Sequence, residues 1–134
     1  MPDTFQLEIV TPEKMVVRDM AEEMQIPGKN GYLGILPGHA PLITELAVGE
    51  ITYRAGSVTH SLAVAWGFAE VLPDKVTILA QTCERPEEVD TGRAQEAKRR
   101  AEERLLSISP ETDYPRAEDA MRRAETRLQV AEKK

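Results

Sequence analysis

Apolar positions fall at two different periods along this chain. Phe5, Leu7 and Ile9 alternate with Gln6 and Glu8, the period of a strand with one buried face. Thr11-Pro12-Glu13 turns the chain, and Met15 to Arg18 reads as a second strand. Met24 and Ile26 alternate with Glu23 and Gln25 in a third. Leu42 to Leu46 is extended, Val48-Gly49 predicts a turn, and Ile51 and Tyr53 alternate with Thr52 and Arg54. After a hairpin turn at Ala55-Gly56, Val58, His60, Leu62 and Val64 share a face. Trp66-Gly67-Phe68 leads on to Val71-Leu72, Pro73-Asp74-Lys75 is a type I turn, and Val76 to Ala80 closes the series. About nine short strands with turn signals between them predict an antiparallel sandwich or flattened barrel.

From Asp90 the period changes. Ala94, Ala97, Ala101 and Leu105 recur at threes and fours with charges between them, which predicts an amphipathic helix with Asp90 as its N-cap. Residues 107–113, with Pro110 among them, break it. Pro115 suits the first position of a second helix, whose apolar stripe is Ala117, Ala120 or Met121, Ala124, Leu128 and Ala131. Two such helices and a short loop make an antiparallel hairpin. The fold class is therefore α+β, a β-sandwich over 1–86 followed by a helical hairpin over 87–134. Alanine stripes bury little area, at about 0.8 kcal/mol per CH₂, so the hairpin is expected to be held loosely.

Pro27 to Pro41 packs four glycines and three prolines into fifteen residues. Asn30-Gly31 and Pro37-Gly38 signal two tight turns around a short strand, Tyr32 to Leu36. No Lys-Ser or Lys-Thr follows the glycines, so this is not a P-loop.

Composition sharpens the division. The net charge of −6 lies wholly in the front: residues 1–87 hold twelve acids and six bases, and residues 88–134 eleven of each. Seven of the eight glycines lie at or before Gly67. Neither part has the basic excess of a nucleic-acid binder. No apolar run approaches the roughly 18 residues that span a bilayer, and the first residues do not read as a signal peptide. Cys83 stands alone and forms neither an internal disulfide nor, by itself, a metal site.

Chemistry-bearing residues are sparse. His60 shares parity with apolar neighbours and reads as a satisfied strand histidine rather than a ligand. His39 follows two turn residues and is expected to be exposed, with no metal-ligand partner at suitable spacing. Trp66, the single tryptophan, suits a core or interface anchor. No nucleophile–base pair is apparent. The arginines between the helical stripes are offset by nearby glutamates, which is the pattern of a solvated face. One reading of the whole is a free-standing small β-sandwich ligand-binding protein with a structural hairpin.

The order Pro-Gly-x-x-Gly-x-x-Gly-Ile-Leu-Pro-Gly-His-Ala-Pro resembles the epsilon subunit of the F-type, proton-driven rotary ATP synthase. The similarity continues through Gly67-Phe68-Ala69-Glu70-Val71, Val76-Thr77-Ile78-Leu79-Ala80, Arg93-Ala94 and Arg127-Leu128-Gln129-Val130-Ala131, and so covers essentially the whole chain. The resemblance implies a non-catalytic subunit of the central rotor stalk. Its partners would be the gamma subunit, the ring of c subunits and the alpha/beta catalytic head. It would couple ring rotation to ATP synthesis and restrain ATP hydrolysis through its hairpin. It would lie peripherally at the cytoplasmic face of a bacterial plasma membrane, joined to the membrane only through the complex.

By the same resemblance, the loop residues Tyr32, His39 and Leu42 would face the c ring. Arg99, Arg100, Arg104 and Arg122 would meet an acidic segment of the beta subunit when the hairpin is extended. Some relatives bind ATP on the folded hairpin through Ile/Leu-Asp-x-x-Arg-Ala. Here that motif reads Val89-Asp90-Thr91-Gly92-Arg93-Ala94, with Arg123 and Arg127 matching the second-helix arginines and Glu84 an upstream acidic contact. No cofactor is required on this reading, and ATP is a regulatory ligand. Read from the residues alone, Asp90 is an N-cap and Arg93 a surface residue.

Overall fold

The computed structural model describes residues 3–107 and 109–134. Seven strands form one hydrogen-bonded sheet: β1 (Phe5–Val10), β2 (Met15–Ala21), β3 (Glu23–Gly28), β4 (Gly31–Ile35), β5 (Leu42–Ala55), β6 (Val58–Val71) and β7 (Lys75–Glu84). Their spatial order is β2-β1-β7-β6-β5-β3-β4. The sheet folds over so that β2 meets β5, which makes it a sandwich. Inside lie Leu7, Ile9, Ile26, Ile51, Leu62, Val71, Val76 and Ile78, all without exposed surface. They are the inward members of the alternations seen in the sequence.

Three expectations are corrected. Among the described residues the strands number seven rather than about nine, because β5 and β6 each run fourteen residues. Val48-Gly49 is not a turn. Gly49 pairs with Val64 in mid-strand. A Cβ on it would lie 2.6 Å from the Pro27 Cβ and 2.7 Å from the Tyr32 hydroxyl, so the glycine answers close packing. One pairing is also parallel. β1 runs alongside β7, so the first and last strands are neighbours in the sheet.

The glycine-rich stretch folds much as its turn chemistry demands. β3 and β4 pair up to Gly28 and Gly31, so the turn residues are Lys29 and Asn30, one place earlier than expected. The His39 amide donates to the Leu36 carbonyl at 3.1 Å, and Gly38 takes φ +86°. That is a type II turn with proline and glycine in their usual places. The Gly38 amide donates to the Pro73 carbonyl at 2.8 Å, which ties this loop to the β6–β7 turn. The turn after β5 likewise falls one place later than expected, on Gly56 and Ser57.

A short 3-10 turn, Pro86–Glu88, leads to α1 (Thr91–Leu106) and α2 (Tyr114–Ala131). Asp90 and Asp113 cap them, accepting from the Arg93 amide at 3.0 Å and the Arg116 amide at 3.1 Å. The break expected over 107–113 is present, with Ile108 outside the described residues. α1 packs on α2, and α2 packs on β5, β6 and the 3-10 turn. Buried Ala94, Ala101, Ala117, Ala124 and Ala131 belong to the predicted stripes, whereas fully buried Val130 does not. Among the described residues no helix is long and apolar enough to cross a membrane.

Candidate functional site: the seam between sheet and hairpin

The seam starts from a doubly buried stretch of β6. Leu62 and Val64 point into the sandwich, while Ser61, Ala63 and Ala65 are buried on the other side. Val48 and Glu50 of β5 join that second face. The result is a platform of mostly small side chains with one buried carboxylate, and α2 lies on it. The apolar run Leu62-Ala63-Val64-Ala65 carried this signal, because a strand covered on both faces loses its alternation.

Three side-chain contacts, one of them from Lys133 just past its end, hold α2 down. The Lys133 ammonium bonds both carboxylate oxygens of Glu50, with Oε2 at 2.9 Å. The Glu50 side chain is only 9% exposed against 46% for Lys133. Arg127 donates through Nε to Glu84 at 2.6 Å. The Arg123 guanidinium lies over the Trp66 ring, 4.9 Å from its centroid. Trp66, Gln81, Thr82, Ala97, Ala120, Arg123, Ala124 and Arg127 line a cavity of about 180 Å³ at the same seam. The 3-10 turn is tied separately, by Lys14 donating to Glu88 at 2.8 Å. That bond and the Arg85 amide hold the Glu88 carboxyl below the usual carboxylate range.

The expected nucleotide residues are distributed as follows. Glu84 and Arg127 are paired, and Arg123 shares a cavity wall with Arg127. Both arginines face the sheet rather than forming part of a solvated surface. Asp90 serves as the α1 cap, and Arg93 is exposed beside it. Val89 and Ala94 are buried. Glu50 and Lys133 went unrecognised in the sequence: Glu50 sits among apolar β5 residues without a motif, and Lys133 lies in the terminal basic pair.

Arg99, Arg100, Arg104 and Arg122 are exposed. Arg99 pairs with Glu96 and Glu103, Arg100 lies 3.8 Å from Glu96, and Arg122 lies 3.6 Å from Asp119. Hydrogen bonding to Glu96 raises the Arg99 pKa and lowers that of Glu96.

At the loop end, Tyr32 is 60% exposed, but its hydroxyl accepts from the Glu50 amide at 3.0 Å. His39 is half-buried rather than exposed, and its Nδ1 donates to the Ala40 carbonyl at 2.7 Å. Leu42 packs partly against the core. Leu36 and Ile43 join Tyr32 as large side chains exposed at this end, at 61% and 72%. His60 is half-buried and stacks on Tyr53, with centroids 4.8 Å apart.

Cys83 is buried in the sandwich core, and desolvation pushes its thiol up to about 12. It should resist iodoacetamide at pH 8 until the sandwich itself unfolds, since the thiolate is the reactive form. Labelling measured against denaturant should follow loss of the sheet, not release of the helices.

A sandwich of this topology with a hairpin laid on one face has close counterparts. Residues 4–86 match the β-sandwich domain of the ATP synthase delta/epsilon chain, and residues 87–132 match that chain's long α-helix domain. The chain belongs to the ATP synthase delta/epsilon chain family.

Among its relatives, the ATP synthase epsilon chain of Koribacter versatilis is 72% identical over 111 residues, 83% of this chain and 78% of the other. The epsilon chain of Syntrophobacter fumaroxidans is 46% identical over 133 residues, covering 99% of both. Among solved structures, a chain of the Euglena gracilis mitochondrial ATP synthase superposes with a TM-score of 0.83 at 22% identity. That match covers 98% of this chain and 82% of that one, and shows a shared fold.

Proposed function

We propose that this chain is a non-catalytic central-stalk subunit of an ATP synthase. It couples rotation of the c ring to ATP synthesis in the alpha/beta head, and its hairpin restrains ATP hydrolysis on leaving the sheet. The observation that carries this reading is the make-up of the seam. α2 rests mostly on small side chains, Ala63 and Ala65 with Val48 beside them, and is held at its edges by Glu50–Lys133, Glu84–Arg127 and Trp66–Arg123. Lifting a helix from such a platform uncovers little apolar surface, so docked and released states lie close in energy. Exposed arginines on both helices suit an acidic partner surface, through charge-assisted hydrogen bonds that salt would weaken. The complex would sit at the cytoplasmic face of a bacterial membrane.

The gamma subunit would meet the sheet on its uncovered face. Met15, Val10, Leu79 and Phe68 lie side by side across β2, β1, β7 and β6 in one cross-strand row. Leu79 and Phe68 are 56% and 52% exposed. Such a row on one domain suits a protein partner. Phe68→Glu should reduce co-purification with gamma at least tenfold while leaving the thermal midpoint of the isolated chain within a few degrees. Undiminished co-purification would remove this surface from the account, and a wild-type chain that never associates with gamma would overturn the rotor reading.

A regulatory ATP belongs at the seam. Its phosphates would take Arg127 from Glu84 and draw on Arg123, and Arg93 would join from the start of α1. Calorimetric titration of the isolated chain should show binding that Arg93→Ala and Arg127→Ala each weaken at least tenfold. No heat of binding up to millimolar ATP would leave Glu84–Arg127 as a purely internal tie.

A further inference from the structure

Trp66 is the one residue other than glycine with positive φ among the described residues, at +54°. It is followed by Gly67 at φ +139°. Sheet pairing passes over it on both sides: Ala65 pairs with Val48 and Thr82, and Gly67 with Leu46 and Ala80, with no change of register. A bulky side chain in the left-handed region is a strained choice where glycine would be relaxed. The twist reverses the inward parity of β6, since Leu62 and Val64 face the core before it and Ala69 and Val71 after it, while Trp66 itself is half-buried and outside that core. The Trp66 ring lies under the Arg123 guanidinium, at the wall of the seam cavity shared with Ala97, Ala120 and Ala124.

We propose that the Trp66–Arg123 contact holds the hairpin on the sheet without any ligand. This rests on the reading of α2 as a releasable helix. A positively charged planar group over an indole face is attracted by the ring quadrupole, the more strongly where water is partly excluded. Arg127 is anchored to Glu84 one turn further along α2, so the two arginines fix the helix at successive points of one face. Ordinary core packing at Trp66 would make a different prediction for its removal: the sandwich, not the hairpin, would weaken.

The test is hydrogen exchange of the full-length chain, read separately for α2 amides and for β6–β7 amides, with emission of the single tryptophan as a second signal. Trp66→Gly relaxes the backbone while deleting the ring. It should speed exchange in α2 by about twofold to thirtyfold, the range of a cation–π contact, and leave β6–β7 protection equal or higher. Arg123→Gln should speed α2 exchange to a similar degree and shift Trp66 emission to the red. Arg123→Lys should retain part of the protection. The double variant Trp66→Gly with Arg123→Gln should open no more readily than the single variants.

Unchanged α2 exchange in Trp66→Gly, or fully additive effects in the double variant, would overturn the proposal while leaving the releasable hairpin intact. Wild-type α2 amides that exchange only in step with the sheet would overturn both.

Discussion

Gly67→Ala should lower the thermal midpoint of the isolated chain by roughly 10–15 °C. A Cβ built on Gly67 falls 2.0 Å from the Leu79 carbonyl oxygen and 2.9 Å from the Ala80 Cα, both backbone atoms of the paired strand. The residue also has φ +139°, which side chains rarely adopt. Neither conflict is relieved by a rotamer change. β6 must separate from β7 or twist away, in a sheet whose other face is core. A cost of about 3 kcal/mol or more follows, against about 3–5 °C per kcal/mol for a chain of this size. Gly34→Ala is the control: nothing lies within 4 Å of its Cβ, and it should stay within about 0.5 kcal/mol of the parent. Thermal unfolding followed by far-ultraviolet circular dichroism compares the two directly.

Lys133→Ala should release the hairpin while sparing the sandwich. Glu50 stands on the α2 side of β5 with its side chain 9% exposed, and Lys133 bonds both of its carboxylate oxygens. Without the lysine, docking α2 covers a carboxylate that has lost its cation. The cheapest relief is to lift the helix and let water reach Glu50. Because Lys133 is itself half exposed, the penalty is discounted to about 1–2 kcal/mol, or about fivefold to thirtyfold in the docking equilibrium. Faster exchange of α2 amides against an unchanged thermal midpoint is the expected signature. Glu50→Gln combined with Lys133→Ala should recover much of the docking, since the amide keeps the shape without the charge. Equal loosening in the single and double variants would show that Lys133 acts by packing instead.

The periodicities gave the architecture because each element buries one face. Leu7 and Ile9 in β1 and Ala94 and Ala101 in α1 sit where their spacing puts them. The Gly49 error has a clear origin: a glycine between strand-like segments looks the same whether it turns the chain or admits Pro27 and Tyr32. The parallel β1–β7 pairing has no local signature, because it joins the two ends of the domain.

The site was legible in part. Arg123, Arg127 and Glu84 stand out through a family resemblance, and the structure turns the two arginines toward the sheet, where Glu84 pairs with Arg127. Glu50 could not be recognised, since its burial depends on a helix more than sixty positions later. Trp66 was open between core and interface. The arginine above it decides for the seam, and that contact is not visible in a residue name.

The most direct test of the central claim is the ATP hydrolysis rate of assembled ATP synthase containing this chain either whole or ending at residue 88. A releasable, restraining hairpin predicts faster hydrolysis with the shortened chain, with gamma association and proton-driven ATP synthesis retained. Equal hydrolysis rates in the two assemblies would contradict the account and leave the helices a fixed cover over Ser61, Ala63 and Ala65.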